Sequence, residues 1–383
     1  MDLFGSYDTE SDEDDDRRAG PAAPSAEEDG VASDGDGDAS SGLTLTAINP
    51  VEKVQLTSRA WLDRIDDMLP PLGSAAEVGT VTRTSIARGD GSIDGFVLDG
   101  VLTPAECAAL IALTEDVPSA DGGYTFWNKS DPQRAFRNAD TIEVHHAALA
   151  KLLWHRIRSA MTEDELAIDL SAEEGTARQR MRWQRDLDGQ WVAVGSNEHV
   201  LFGRYLAGGH FAPHTDGYSI VDFNHRSMYS IVLFLATLET SASERAEGQH
   251  NGGTRFYSDA MRGKEALVRD AEMRWTGAKE HLLGTVEAKA GRAVVFFHNH
   301  MHEGLPPHIG STKYIIRSDL MYRRVPPVAT APEDSKAFAL YCKANALTKA
   351  DLPPGARSVE AEALTMLQQC FRMSPALAEI YGM

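Results

Sequence analysis

From Arg204 to Asp216 the chain reads R-Y-L-A-G-G-H-F-A-P-H-T-D, an alternating strand pattern that breaks at Gly208-Gly209 and ends with His214 and Asp216 two positions apart. Residues i and i+2 of a strand face the same side, so this imidazole and this carboxylate converge on one point, where a metal could sit. Such a pair is common by chance, and a metal centre needs another ligand from a distant strand. The segment A-V-V-F-F-H-N-H-M-H-E-G, Ala293 to Gly304, supplies candidates. Its apolar run reads as a buried strand that delivers His298, His300 and His302 to its far end. The three share strand parity, so alternation leaves the choice among them open. His210, four residues before His214, reads as structural or as part of the site mouth.

Two imidazoles and one carboxylate on one face of a metal leave the opposite face open, the arrangement used by non-heme Fe(II) oxygenases, so iron is the expected ion. The order of motifs is more specific. R-Y-x-x-G-G-x-F-x-P-H-x-D (Arg204 to Asp216) is followed by G-G-x-x-F (Gly252 to Phe256) and G-R-A-V-V-F-F (Gly291 to Phe297), and then by H-E-G-x-P-x-x-x-G-x-x-K-Y (His302 to Tyr314). In this order the motifs resemble the prolyl 4-hydroxylase-like branch of the 2-oxoglutarate/Fe(II)-dependent dioxygenases, over about Gly95 to Arg324.

The resemblance implies an α+β fold with a double-stranded β-helix, or jelly-roll, core and flanking N- and C-terminal helices. It implies Fe(II), 2-oxoglutarate as co-substrate and dioxygen, with L-ascorbate as a further cofactor. It selects His302 as the distal ligand, because the family's ligand stands before Glu-Gly, and so gives His214, Asp216 and His302 as the metal-binding and catalytic set. Lys313 stands where the family's G-x-K-Y places the base for the distal carboxylate of the co-substrate, and Arg317, on the same strand face, is a second or substituting contact. Tyr205 is expected to point toward the co-substrate, although packing in the barrel wall explains it equally well. The sequence departs from the family pattern at one place. Relatives often end the strand at Ser227 to Thr237 with Tyr-Leu, whereas this chain has Phe234-Leu235, which removes one hydrogen bond to the co-substrate.

The elements that must position these groups follow from periodicity. Trp61, Leu62, Ile65, Met68 and Leu69 lie at helical spacing, and Phe96 to Leu98 reads as a strand. Thr103-Pro104-Ala105-Glu106 is a capping box with Pro at the first helical position, opening a helix to about Glu115. His145 to Met161 reads as a helix, with Tyr124 to Val144 extended or looped before it. Asp186 to Gly189 gives a hairpin signal, and Thr237 to Gly252 is a polar loop suited to a flap over the site. Ser258 to Gly284 has a partly helical pattern around Lys264 to Met273. Two helices, near Ser335 to Asn345 and Val359 to Phe371, close the chain. The expected organisation is an acidic tail over 1–42, an irregular and helical extension over 43–94, the dioxygenase jelly roll over 95–326 and a C-terminal helical extension over 327–383.

Of the formal charge of −20, −12 falls in residues 1–42, which have almost no large apolar side chains. Such a segment cannot offset its ordering entropy by burial, so disorder is expected there. Hydroxyls just before carboxylates, as at Ser11, suit an acidophilic kinase, although a solubilising tail is the default. The remaining chain is also acidic, which argues against nucleic acid as the main partner. A protein or peptide substrate is expected, with a small molecule as the other option. Cys107, Cys342 and Cys370 suggest reduced thiols. The N-terminus lacks a signal pattern and no apolar run approaches a membrane span, so a cytoplasmic or nuclear location without membrane attachment is expected. Two other readings use the same residues. One is a cupin-like metal oxygenase without a 2-oxo acid, and the other is a non-catalytic jelly-roll interaction protein.

Overall fold

The computed structural model describes residues 63–68, 81–86, 93–118, 123–126, 136–170, 185–246, 250–258, 261, 267–349 and 357–383. The acidic segment 1–42 with Ser11, and Leu43 to Val54, lie outside the described residues. The strands in chain order are β1 (Thr82–Ser85), β2 (Gly95–Asp99), β3 (Thr125–Phe126), β4 (Asp140–His145), β5 (Ala167–Asp169), β6 (Gln190–Ser196), β7 (His199–Tyr205), β8 (Phe211–His214) and β9 (Ile220–Asp222). They continue as β10 (His225–Phe234), β11 (Thr254–Tyr257), β12 (Leu267–Arg269), β13 (Trp275–Gly277), β14 (Leu282–Val286), β15 (Ala293–Phe297), β16 (His302–Gly304) and β17 (Lys313–Val325).

Eight strands build the core. An 11-stranded sheet contains β15-β10-β17-β7 as consecutive neighbours, and a four-stranded sheet has the order β14-β11-β16-β8. Followed along the chain, β7 lies in the large sheet, β8 in the small, β10 in the large, β11 and β14 in the small, β15 in the large, β16 in the small and β17 in the large. This alternation, with antiparallel pairing throughout, is the winding of a double-stranded β-helix. The fold is thus α+β with a jelly-roll core.

The composition of the central strands explains their place. In β10 every residue from Arg226 to Phe234 is buried, and in β15 all five are. A strand covered on both faces reads as a continuous apolar run rather than an alternating one. Val232, Phe234, Val294, Phe296, Phe256 and Ile315 form the core of the lumen. The alternate residues Ile231, Leu233, Val295 and Ile316 join a second core with Leu110, Leu149 and Leu153 of the outer helices.

Those helices are α1 (Asp63–Met68), α2 (Pro104–Glu115), α3 (Ala147–Arg158), α4 (Glu163–Leu166), α5 (Ala242–Ala246), α6 (Pro332–Lys349), α7 (Arg357–Met373) and α8 (Pro375–Tyr381). Both capping-box bonds of α2 form, and the same Glu106 carboxylate accepts from Arg156 Nη2 at 2.9 Å, tying α2 to α3. No described helix is long and apolar enough to cross a membrane.

Several local expectations change. The stretch before His145 is extended, as one of its two expected states, since β4 pairs with β7 and widens the large sheet, whereas other elements differ from expectation. His146 is the N-cap of α3, its Nδ1 accepting from Leu149 N at 3.1 Å. Asp186 to Gly189 does not turn a hairpin. Arg185–Leu187 is a 3-10 turn, and β6 pairs with β5 and β17. The polar loop from Thr237 contains α5, opened by Ser241 and Glu244 capping each other's amides. The helical pattern around Met273 is instead the β12–β13 hairpin, because Asp270 Oδ1 accepts from the amides of Glu272 and Arg274 and Met273 takes φ 64. Residues 264–266 of that pattern lie outside the described residues. Helix α8 was not signalled by a long apolar period; it starts where Ser374 caps Leu377 N and Pro375 fills the first position.

Candidate metal centre

His214 is the last residue of β8 and His302 the first of β16, and the two are register partners in the small sheet. Their rings stand 4.3 Å apart between centroids. Gly208, at φ +78, and Gly209 make the turn that brings β8 back after β7, with Gly209 N donating to Leu206 O at 2.7 Å. Asp216 lies beyond the end of β8. Strand alternation therefore does not place it; its amide donates to His298 O at 3.0 Å, and this bond turns the carboxylate toward the two imidazoles.

The donor set is consistent in its protons. His214 Nδ1 donates to Ala212 O at 2.7 Å and His302 Nδ1 donates to His300 O at 2.9 Å. A carbonyl only accepts, so each Nδ1 carries the hydrogen and each Nε2 keeps a lone pair. Those Nε2 atoms lie 3.7 and 3.6 Å from Asp216 Oδ1 and Oδ2, and one ligand atom from each of the three residues lies within 4.8 Å of the others. Burial, reinforced by the other imidazole, lowers His214 to about 3, and burial lowers His302 as well. Both are therefore neutral ligands at ordinary pH. Burial alone would raise the Asp216 carboxyl, but the Arg317 charge and the neighbouring imidazoles hold it below the usual carboxylate range. Two neutral nitrogens and one anion, clustered with free lone pairs, fit a divalent ion.

The three neighbouring histidines have separate roles. After β15 the chain crosses from the large sheet to the small one, so strand parity does not govern 298–302. His298 is fully buried between Ser227 and Ser230, at 2.7 and 2.8 Å from their hydroxyls. His300 Nε2 accepts from Asp94 N at 2.7 Å. Only His302 faces His214 and Asp216. His210 is buried with Nδ1 on Gly208 O at 3.1 Å, a structural contact.

Lys313, first residue of β17, is register partner of Tyr205 and points into the lumen. Its ammonium is buried, lies 5.0 Å from the Tyr205 ring and 5.7 Å from the Phe234 ring, and donates to Gly253 O at 3.2 Å and Leu305 O at 3.4 Å. Among the described residues it has no ion pair. The acid it feels, Glu303, is already engaged by Tyr257 at 2.6 Å, Arg255 at 3.1 Å and Thr276 at 2.8 Å. Burial lowers Lys313 to about 7. A buried cation with only carbonyl partners is a place for a carboxylate from outside the chain.

Arg317, one turn of the strand pleat further along twice over, is used differently. Nη2 lies 3.1 Å from Asp216 Oδ2, and Nη1 is ion-paired with Asp319. The arginine thus sits on the metal carboxylate, while Lys313 meets the carbonyls deeper in the lumen. A cavity of about 350 Å³ joins them, lined by Lys313, Tyr205, Arg317, Asp216 and both metal-facing histidines, and extending outward to His145 and His199. Sequence reasoning missed Arg137, Phe211, Ser230 and Thr254. Phe211 stacks on His214 with centroids 3.5 Å apart, and the Arg137 guanidinium lies 4.7 Å above the Phe211 ring. Ser230 had a signal, a polar residue inside an apolar strand; Arg137 had none.

Residues 200–318 match the family described as the 2OG-Fe(II) oxygenase superfamily. The matched segment contains all three clustered ligands, Lys313, Arg317 and Tyr205. No curated protein matches the chain. Among solved structures, it is similar to a Pseudomonas putida prolyl-4-hydroxylase at 16% identity, covering 69% of this chain and 98% of that one, with TM-score 0.33. It is similar to HygX from Streptomyces hygroscopicus, solved with nickel, 2-oxoglutarate and hygromycin B, at 10% identity, covering 61% and 84%, with TM-score 0.33. A prolyl hydroxylase from Trichoplax adhaerens, in complex with a hypoxia inducible factor fragment, gives 9% identity, covering 70% and 95%, with TM-score 0.31.

Proposed function

We propose that this protein is a 2-oxoglutarate- and Fe(II)-dependent dioxygenase that hydroxylates an unactivated C–H bond, and that its substrate is a prolyl or other residue of a soluble protein. The observation that carries this reading is one cavity holding both halves of the required chemistry. His214, Asp216 and His302 offer lone pairs at one wall, and Lys313 offers a buried positive charge deeper in the lumen. Iron with 2-oxoglutarate supplies the oxidising power, with decarboxylation to succinate accompanying delivery of one oxygen atom to the substrate.

The chain's own residues prepare for this. His214 and His302, fixed as Nδ1–H tautomers by backbone carbonyls, would hold the ion through Nε2, with Asp216 as the anionic ligand. Lys313 would hold the distal carboxylate of 2-oxoglutarate, with Tyr205 and Thr254 lining the same end of the cavity. Phe234, buried beside Lys313, contributes an apolar wall where a hydroxyl would otherwise help. Phe, Val and Ile side chains of the lumen exclude water from this end. A substrate enters from the opposite, polar end near His145 and His199, and the volume suits one side chain together with the co-substrate. The catalytic unit of this reading is 95–326, acting in cytoplasm or nucleus, with L-ascorbate as reductant in the assay.

The test is to load the protein anaerobically with Fe(II), add 2-oxoglutarate, oxygen and a peptide pool, and analyse by mass spectrometry. Succinate formation with a gain of one oxygen on a peptide is expected. Oxygen consumption without any need for 2-oxoglutarate would instead favour a cupin-like oxygenase.

A further inference from the structure

Beside the three ligands and Lys313, a buried, hydrogen-bonded polar group lies behind Asp216. Ser227, Ser230 and His298 are each fully buried. Ser230 and Ser227 come from β10, and His298 comes from the turn after β15, so the group bridges two central strands of the large sheet.

Its hydrogen positions can be deduced. Ser230 Oγ makes a short hydrogen bond to Asp216 Oδ2, and a carboxylate only accepts, so the single hydroxyl hydrogen of Ser230 is committed to Asp216. Toward His298 Nδ1, at 2.8 Å, Ser230 must therefore accept, which puts the hydrogen on Nδ1. Arg317 Nη2 also donates to Ser230 Oγ at 3.2 Å. In the neutral ring Nε2 then carries a lone pair and accepts from Ser227 Oγ at 2.7 Å, while Ser227 itself accepts from Ser219 N at 2.8 Å. Every donor in the chain Ser227, His298, Ser230, Asp216 points the same way and ends on one carboxylate oxygen. Oδ2 also receives Arg317 Nη2 at 3.1 Å, so it holds two donors.

We infer that Ser230, oriented by His298, is a positioning residue for the metal carboxylate: it occupies Oδ2 so that Asp216 offers only Oδ1 to the ion. The inference rests on the dioxygenase reading and adds how the open face is kept open. Two histidines and a one-oxygen carboxylate would offer three donor atoms to an ion. A carboxylate free to chelate with both oxygens would bring the set to four donor atoms and leave less room for the co-substrate. This gives His298 a role apart from that of the ligand His302. His298 works through Ser230 and touches neither ion nor substrate.

The experiment uses the full chain, stripped of metal, with Mn(II) as probe. Affinity for Mn(II), affinity of the Mn(II)-loaded protein for 2-oxoglutarate and the thermal midpoint are measured for wild type, Ser230→Ala, Ser230→Thr, and the similarly shaped pair His298→Leu and His298→Asn. Residues behind metal ligands usually contribute about 10- to 100-fold in affinity, so Ser230→Ala should lose that much for Mn(II) and also weaken 2-oxoglutarate. His298→Asn retains a donor at the Nδ1 position and should bind Mn(II) more tightly than His298→Leu at a similar midpoint. If Ser230→Thr folds, it should recover most of the loss. Wild-type Mn(II) affinity in Ser230→Ala, or equal weakening in the His298 pair, would overturn the positioning role. Failure of the wild type itself to bind Mn(II) would overturn the dioxygenase reading instead.

Discussion

Lys313→Met should make the protein more stable and a worse binder of 2-oxoglutarate, two effects of opposite sign from one change. Burial lowers the ammonium from 10.5 to about 7, with no counter-ion among the described residues. That shift corresponds to at most about 5 kcal/mol of unfavourable burial at low pH, and replacing a buried charge by an apolar side chain commonly returns about 1–4 kcal/mol. We expect a gain of about 2–3 kcal/mol at pH 7 in urea denaturation of the ligand-free protein. The sign with pH follows from proton counts. Below about 7 the lysine is charged folded and unfolded, and the full penalty is present. Between about 7 and 10.5 only the unfolded chain holds the proton, so unfolding takes one up and wild-type stability rises with pH through that window. The advantage of Lys313→Met should therefore shrink from neutral to alkaline pH. In the other assay, calorimetric titration of 2-oxoglutarate into Mn(II)-loaded protein, loss of a desolvated charge pair costs about 3 kcal/mol, on the order of 100-fold in Kd. A variant that is less stable than wild type at pH 7 and binds 2-oxoglutarate normally would refute the reasoning.

His214→Ala and His302→Ala should each lower Mn(II) affinity at least about 100-fold while leaving the far-UV circular dichroism unchanged, because the rings are held by one backbone carbonyl each and by packing rather than by the sheet. Glu303→Ala removes a buried acceptor shared by Tyr257, Arg255 and Thr276, so chemical denaturation should show a loss of about 3–4 kcal/mol from the stranded partners; a loss below about 1 kcal/mol would mean the network is not buried in solution. Gly291 has φ +78, and an added Cβ would stand 1.9 Å from Leu102 O, so Gly291→Ala should destabilise by more than about 2 kcal/mol, checked by its thermal midpoint.

The parts of the site legible in the sequence are those set by short spacing. His214 and Asp216 are two residues apart, although the Asp216 amide bond to His298 O rather than strand alternation aims the carboxylate, and the family resemblance, through the Glu-Gly after His302, picks one histidine among three. The apolar run Ala293 to Phe297 announces a strand covered on both faces. What was not legible depends on which strands become neighbours. Arg317 reaches Asp216 because β17 lies against β10 in a register that sets Val232 opposite Arg317 and Ser230 opposite Asp319. Spacing along β17 alone assigned Arg317 with Lys313. Arg137 enters the cavity through tertiary packing on Phe211, which no local pattern encodes. The β12–β13 hairpin was hidden because its turn is made by the Asp270 side chain, and the residues between have acceptable helical spacing.

Succinate formation from 2-oxoglutarate in air, with Fe(II)-loaded wild type and His214→Ala side by side, tests the central claim most directly. The joint presence of the three ligands and Lys313 in one cavity predicts iron-dependent succinate from the wild type and none above background from the variant. Equal succinate from both proteins, or none from a wild type that demonstrably holds iron, would contradict it.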